Sequence, residues 1–264
     1  MPSENVAQPV NEDRRRRKRE ARRDHLLALA ADLVEQAGVA GVTMAALAEA
    51  ADYAPASLYT YFPSRSALLA AVQEQALVSL GRVADRHLEA TAEAVAHASP
   101  AVSAEVGALA RLCAFADLFL AAPQRHPREF RLQQELLVTR GVEDVEDAGS
   151  VVPAAMYVLD APRRLLTEAV EVGALGADGP NADPLGHPVD PAVARTLAWV
   201  VALNGALLTD GLLTGLPTTG AALGGQLTDA LLVGWGASPA HLRTARTLAG
   251  TWSPATIDPV GATS

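Results

Sequence analysis

The residues best suited to binding chemistry lie in one short segment, ASLYTYFPSRSALL, which runs from Ala56 to Leu69. It holds two of the four Tyr and one of the four Phe of a 264-residue chain, beside Ser, Thr and Arg. Hydroxyl and guanidinium groups donate hydrogen bonds to phosphate oxygens, and an aromatic ring with a polar tip suits a surface that a partner covers. The segment therefore favours a binding surface.

Other reactive residues form no recognisable catalytic or metal site. Cys113 is the single cysteine and lies in an apolar helical pattern, which predicts a core residue and excludes an internal disulfide or a cysteine-based zinc site. The six histidines lack close metal-binding spacing. The sequence also contains no nucleophile with a base and no phosphate loop, so we expect no metal and no cofactor.

The charge is divided between the two ends of the chain. The net charge is −9, but residues 13–24 carry eight basic and three acidic residues, including Arg14, Arg15, Arg16 and Arg17. Beyond residue 70 there are twelve Arg and twenty-one acidic residues. Contact with a polyanion is thereby confined to the N-terminal end.

Three short helices are predicted before residue 70. The first has apolar residues at helical spacing from Leu26 to Ala37, and Thr43 can cap the second. Pro55 suits the first turn of the third, and Ser64 can cap a fourth helix that begins at Arg65. Two helices joined by a tight turn indicate a helix-turn-helix, whose third helix would use Leu58 and Phe62 as anchors and leave Ser57, Tyr59, Thr60 and Tyr61 facing phosphates and bases.

The remaining chain predicts only helices, so the fold class is all-α. The predicted helices cover residues 68–96, 102–121, 129–139, 152–175, 191–213, 221–234 and 239–248, with turns at 121–127, 141–150 and 176–190. We divide the chain into a disordered basic arm (1–20), a helix-turn-helix domain (21–70), a helical regulatory and dimerisation domain (71–252) and a tail (253–264). No stretch is long and apolar enough to cross a bilayer, and no secretory signal begins the chain, which predicts a cytoplasmic protein.

From Leu26 to Leu69 the sequence resembles the tetracycline-repressor (TetR) family of bacterial transcription regulators. The resemblance rests on ALAADLVEQAG, VTMAALAEAA and SLYTYFPSRSALL, in the family's order and spacing. It implies that Thr43 and Tyr61 contact phosphates, that Tyr59 and Thr60 lie at the groove, and that Arg65 faces phosphate where the family usually has Lys. It also places Ala45, Pro55 and Ala56 within reach of bases, where such side chains can contact thymine methyl groups.

Two positions depart from the family pattern. Asp52 occupies the turn position where the family favours Gly, and Ala54 replaces the usual Ser cap, a change that costs on the order of 1 kcal/mol. The arginine arm has two open interpretations: it enters an A·T-rich minor groove, or it is a generic phosphate-binding tail.

The resemblance implies a ligand-binding and dimerisation domain after residue 71. The apolar segment Arg195–Leu213, with residues 221–234, predicts either a dimer-forming four-helix bundle or packing inside one subunit. Asn204 either satisfies nearby backbone or faces a ligand. Aromatic and apolar side chains of the central helices can line a cavity or form plain core: Phe115, Phe119, Phe130, Met156, Tyr157 and Trp199.

These observations predict a homodimeric transcriptional regulator, most simply a repressor that binds a pseudo-palindromic operator in double-stranded DNA and leaves it when a small apolar effector binds. One rival is a constitutive or architectural DNA-binding protein without a ligand. Another is an all-α enzyme whose helix-turn-helix domain is vestigial; the lack of a catalytic motif argues against it.

Overall fold

The computed structural model describes residues 7–98, 101–138, 145–177, 190–209, 215 and 217–252, and its regular elements are all α-helices, as predicted. In chain order they are α1 (Ala7–Gly41), α2 (Met44–Ala51), α3 (Pro55–Leu58), α4 (Arg65–Ala98), α5 (Ala104–Arg125), α6 (Pro127–Val138), α7 (Val145–Glu171), α8 (Pro191–Leu208), α9 (Gly220–Gly234) and α10 (Pro239–Gly250). The predicted tail at 253–264 and the first six residues of the predicted arm lie outside the described residues.

The chain forms two compact units, which we call the head (Met1–Leu77 with Arg128–Ala154) and the body (Val78–Pro127 with Ala155–Ser264). The core of the head is built by apolar side chains that recur at helical spacing on α1 to α4. Its fully buried members include Leu26, Val34, Leu47, Leu58 and Phe62. The predicted anchoring of the third helix by Leu58 and Phe62 is therefore confirmed.

The head is larger than the sequence indicates, because α6 joins it. Leu132 is buried in the head core, and the Arg128 guanidinium bonds to the Asp32 carboxylate at 2.8 Å and to the Ala28 carbonyl at 2.9 Å. At the start of α7, Asp147 accepts a hydrogen bond from the Ser64 hydroxyl at 3.3 Å. Residues 128–154, assigned above to the regulatory domain, thus belong to the head.

The prediction of a disordered basic arm is wrong for its described part, because α1 already begins at Ala7 and carries the arginine run. Arginine is a good helix former, and Asp13 accepts ion pairs from Arg16 and Arg17 three and four residues later. The helical conformation is interrupted only near the far end, at Gly38, whose φ is +68°. The interruption directly follows Ala37, where the predicted apolar pattern of the first helix ends.

The body is organised around α5, whose central residues are buried on nearly all sides. Cys113 is a fully buried core residue, as predicted, and burial raises the pKa of its thiol to about 12. The predicted turn at 121–127 is shorter than expected, because α5 continues through Pro123 to Arg125 and His126 alone separates it from α6. The predicted turn at 141–150 is helical from Val145 onward, and residues 141–144 lie outside the described residues.

The turn between α2 and α3 sets the direction of α3. Asp52 is left-handed, with φ 54° and ψ 46°, and is the single non-glycine residue with positive φ among the described residues. The Tyr53 N–H donates to the Ala48 carbonyl at 2.9 Å, and the Asp52 N–H donates to the Glu49 carbonyl at 3.3 Å, which is the Schellman pattern of a helix end. The position normally requires Gly, so Asp52 carries backbone strain.

Replacing Asp52 by Gly should raise the free energy of unfolding by up to about 1 kcal/mol, since Gly adopts positive φ without a Cβ clash. Asp52→Ala should lower it, because Ala keeps the clash and loses the short polar side chain. Urea denaturation followed by circular dichroism measures both changes. Ala50→Gly inside α2 is the control and should destabilise by about 0.5–1 kcal/mol; an equal effect of Gly at both positions would contradict the strain.

Candidate nucleic-acid interface

One face of the head is lined by the side chains predicted to contact DNA. Seven of them are exposed: Thr43, Ala45, Pro55, Ala56, Ser57, Tyr59 and Thr60. Tyr59 is the most notable, because 53% of this large side chain is accessible while the adjacent Leu58 is fully buried. Tyr61 is half-buried against the core of the head. Hydroxyl groups and small apolar groups therefore share one surface above a rigid core.

The recognition segment, defined here as residues 55–62, contains less helix than predicted. Helix α3 ends at Leu58, and the chain continues as a hydrogen-bonded turn in which the Leu58 carbonyl accepts from the N–H groups of Tyr61 at 2.8 Å and Phe62 at 2.9 Å. Ala54 provides no side-chain cap, as predicted, and Pro55 occupies the first turn. Burial of Leu58 and Phe62 therefore stabilises α3 in place of the missing side-chain cap.

Thr43 caps α2 in a way that leaves a donor available. Its Oγ1 accepts the Ala46 N–H at 3.0 Å, as predicted from the sequence. The hydroxyl proton is not used in that bond, so it can be donated outward to a phosphate oxygen. Thr60 differs, because its hydroxyl already donates to the Ser57 carbonyl at 2.7 Å.

Arg65, for which the resemblance implies a phosphate contact, is half-buried and bonds to backbone carbonyls of the head. Its Nε donates to the Val42 carbonyl and its Nη2 to the Val39 carbonyl, both at 2.6 Å. Val39 lies in the last turn of α1, and Val42 follows the end of that helix directly before Thr43. Two of the three guanidinium nitrogens thus fix the segment that leads into α2, and Arg65 acts first as a positioning residue for the helix-turn-helix.

Two arginines of α1 reach the recognition segment, which the sequence reasoning missed. The Arg19 Nη2 donates to the Thr60 carbonyl at 3.0 Å, and its guanidinium carbon lies 6.0 Å from the centre of the Tyr61 ring. The Arg23 guanidinium carbon lies 5.3 Å from the centre of the Phe62 ring. The available signal was the spacing of Arg19, Arg23 and Leu26, which places the arginines on the buried side of α1.

The residues predicted to line a ligand pocket do not form one group. Phe115 and Trp199 are buried in the body core with ring centres 5.5 Å apart, and the Trp199 Nε1 donates to the Thr228 hydroxyl at 3.0 Å. Phe119 is partly buried against the same core. Met156 is 54% exposed, and Phe130 belongs to the head.

Tyr157 and Asn204 have local roles in the body. The Tyr157 hydroxyl donates to the Asp85 carboxylate at 2.6 Å, and its ring lies against Gly81, where an added Cβ would come within 2.4 Å of the ring. The Asn204 side-chain amide donates to the Val200 carbonyl at 2.9 Å, which agrees with the interpretation that it satisfies nearby backbone. Plain core and local bonding therefore account for much of the predicted set.

Helix α8 has an apolar outer face. Trp199 and Leu203 are buried, whereas Leu197, Val201 and Leu208 are 47%, 68% and 54% exposed. Gly205 lies on the same outer face, and an added Cβ there would meet nothing within 4 Å. By length and composition α5 and α8 could each cross a membrane, but most of α5 is buried in the body.

Comparison with known proteins agrees with the head's geometry. The family model "Bacterial regulatory proteins, tetR family" matches residues 26–72, the segment that carries α2, α3 and the buried half of α1. The chain therefore contains a segment similar to the DNA-binding domain of this family. No curated protein sequence matches it significantly.

Solved structures share the fold over most of this chain. RolR in complex with resorcinol has a TM-score of 0.54 and 20% identity over 93% of this chain and 97% of its own. A Rhodococcus sp. RHA1 protein of unknown function has a TM-score of 0.56 and 25% identity over 81% and 94%. SmeT, the repressor of a Stenotrophomonas maltophilia multidrug efflux pump, has a TM-score of 0.52 and 19% identity over 81% and 89%.

The family and the exposed helix-turn-helix face agree on the general function. The N-terminal segment matches the DNA-binding domain of tetR-family regulators, which supports a role in transcriptional regulation.

The role of Arg65 can be tested by separating stability from charge. Arg65→Ala should lower the free energy of unfolding by about 1.5–3 kcal/mol, because it removes hydrogen bonds from a charged donor to the Val39 and Val42 carbonyls. Arg65→Lys should recover little of this loss, since it lacks the planar fork. Urea denaturation measures stability, and DNA titrations at several salt concentrations measure the charge effect. A salt dependence reduced by Ala but restored by Lys would instead show a phosphate contact.

Proposed function

We propose that this regulator is a homodimeric repressor that binds a pseudo-palindromic site in double-stranded DNA and leaves it when a small apolar effector binds to the body. The observation that carries the DNA-binding part is the recognition segment, in which exposed Ser57, Tyr59 and Thr60 stand on buried Leu58 and Phe62. A helix held in this way presents one face to a major groove.

Phosphate contacts and methyl contacts would dominate the interface. The Thr43, Ser57 and Tyr59 hydroxyls can donate to phosphate oxygens, which fixes orientation but reads no sequence. Ala45, Pro55 and Ala56 are exposed and apolar, so they suit the C5-methyl groups of thymine. Tyr61 is half-buried with its ring beside Arg19, and we assign it a phosphate contact at the edge of the groove. Discrimination by the recognition segment would thus rest on methyl contacts.

Dimerisation is supported by the outer faces of α8 and α9. Leu197, Val201 and Leu208 form an exposed stripe along α8, and α9 exposes Ala222, Ala230 and Val233 at similar spacing. Two copies of this pair of helices would make a four-helix bundle with small residues that allow close approach. A second copy of the chain would cover the apolar stripe of α8, so the stripe does not require a membrane. We therefore place the protein in the cytoplasm. Two-fold symmetry in the protein would require half-sites about 34–36 Å apart or a little more.

Binding of an effector is supported by the size of the body and by two solved structures of similar fold. RolR was solved with resorcinol, a small aromatic molecule, and SmeT represses a multidrug efflux pump. In this chain the aromatic side chains of Phe115, Phe119 and Trp199 lie in or against the body core and could contact an aromatic ligand. The dimer would have two states, one with its heads spaced to fit the operator and one without. An effector that binds the second state more tightly would lower the affinity for DNA, to the extent that its affinities for the two states differ.

Binding to DNA can be tested with the intergenic duplex upstream of the protein's own gene. Fluorescence anisotropy should give tighter binding to this duplex than to a scrambled duplex of equal length, and the variant Tyr59→Ala should lower affinity for the native duplex by about tenfold, as expected for one lost contact of about 1.4 kcal/mol. Resorcinol and other small phenols are then titrated into the complex. Equal affinity for both duplexes with no release by any compound would favour the constitutive or architectural alternative.

The dimer interface can be tested with one substitution and a matched control. Val201→Arg should convert the dimer to a monomer, because an unpaired charge would be buried between the two copies. Val152 on α7 is similarly exposed, at 54% against 68% for Val201, so Val152→Arg should leave the dimer intact. Light scattering coupled to size exclusion measures the mass. A wild-type monomer, or a Val201→Arg dimer of unchanged affinity, would contradict the interface.

A further inference from the structure

The N-terminal half of α1 has three distinct sides between Asp13 and Asp24. One side carries Arg19, which is exposed, and Arg23, which is half-buried; they extend the helix face of Leu26 and Ala30 and contact Thr60, Tyr61 and Phe62. The other two sides are exposed and differ in charge. This division follows from the 3.6-residue period of the helix.

The first exposed side is uniformly basic, and we call it the basic edge. It consists of Arg14, Arg15, Lys18 and Arg22, which recur at intervals of three and four residues, and all four side chains are exposed. Among the described residues none of them has an acidic partner. Four positive charges therefore stand in a row about 12 Å long, as given by a rise of 1.5 Å per residue.

The second exposed side is nearly neutral. Asp13, Glu20 and Asp24 share it at spacings of seven and four residues, and Arg16 and Arg17 lie among them. The Arg17 guanidinium is 3.1 Å from the Asp13 carboxylate, and the Arg16 Nε is 3.8 Å from the Glu20 carboxylate. Such exposed pairs add little stability, but the three carboxylates cancel the field of the two arginines. A polyanion would meet attraction on the basic edge alone.

The helical state excludes one of the two interpretations drawn from the sequence. An α-helix with its side chains is about 10–12 Å across, whereas the minor groove is about 6 Å wide. A helix of this kind cannot enter the minor groove as an extended arm does. It can lie over the sugar-phosphate backbone, where a row about 12 Å long reaches neighbouring phosphates of one strand.

Arg19 and Arg23 fix where this helix lies relative to the groove. Because they join α1 directly to Thr60, Tyr61 and Phe62, a recognition segment seated in the major groove carries the basic edge with it. The edge therefore approaches the backbone that borders the same groove without a flexible linker.

We infer that Arg14, Arg15, Lys18 and Arg22 form a second DNA contact, a rigid helical edge that binds the phosphates beside the major groove occupied by residues 55–62. This inference rests on the proposed DNA-binding function and deepens it. Of the arginines assigned to DNA from the sequence, Arg14 and Arg15 are retained, and Arg16 and Arg17 are assigned to the neutral side.

The test compares two double variants of the full chain that each lose two positive charges. Arg14→Ala with Lys18→Ala removes half of the basic edge, whereas Arg16→Ala with Arg17→Ala removes the paired arginines. Alanine is the best helix former, so both variants should keep α1, which circular dichroism verifies. Affinity is measured by anisotropy from about 50 to 200 mM salt, a range over which phosphate contacts weaken strongly. The probes are the upstream duplex and a scrambled duplex of equal length.

The basic-edge variant should lose salt dependence, with the slope of log affinity against log salt reduced by about 1.8 for each bound chain, or about 0.9 per phosphate contact. The loss should be the same on both duplexes, because phosphates carry no sequence. The paired-arginine variant should keep a slope within about 0.5 of wild type. Equal losses in both variants, or no loss in the basic-edge variant while the wild type binds, would overturn the inference alone. A wild type that binds neither duplex would overturn the DNA-binding function with it.

Discussion

The proposed DNA-binding surface depends on the burial of two side chains of the recognition segment, Leu58 and Phe62. A helix of four residues without a side-chain cap has no stability of its own, because nucleation costs more than one turn returns. Removing these two side chains from water contributes roughly 1.5–3 kcal/mol each. The same burial holds Ser57, Tyr59 and Thr60 outward, so the core of the head and its binding surface are two sides of one short segment.

Local sequence signals predicted this region well because its structure is governed by neighbours in the chain. The Thr43 and Ser64 caps, the position of Pro55 and the uncapped Ala54 all depend on residues within three positions. The family's preference for Gly at the position of Asp52 indicated that this residue adopts a positive φ. The all-α class followed from helical periodicity over most of the chain.

The errors have a common cause, since each involves a partner far away in the sequence or a competition between local preferences. Arg65 bonds to carbonyls more than twenty residues before it, and Arg19 to a carbonyl 41 residues after it. Periodicity identifies the buried side of a helix but does not name what packs there. The arginine run was judged by charge, which suggested an arm, although helix propensity and Asp13 favoured a helix. The aromatic residues of the body could not be grouped because their spacing does not distinguish core from cavity.

The participation of α6 in the head bears on how such regulators can be recombined. The DNA-binding unit is discontinuous in sequence: Leu132 completes the hydrophobic core that α1 to α4 begin, and Arg128 joins it to α1 through Asp32 and Ala28. A fusion that transplanted only the first 77 residues onto a foreign body would leave apolar surface uncovered and the Asp32 carboxylate without the Arg128 ion pair. Exchange of heads between relatives is therefore constrained by a helix from the middle of the chain, and α6 must travel with the head or be matched by the recipient.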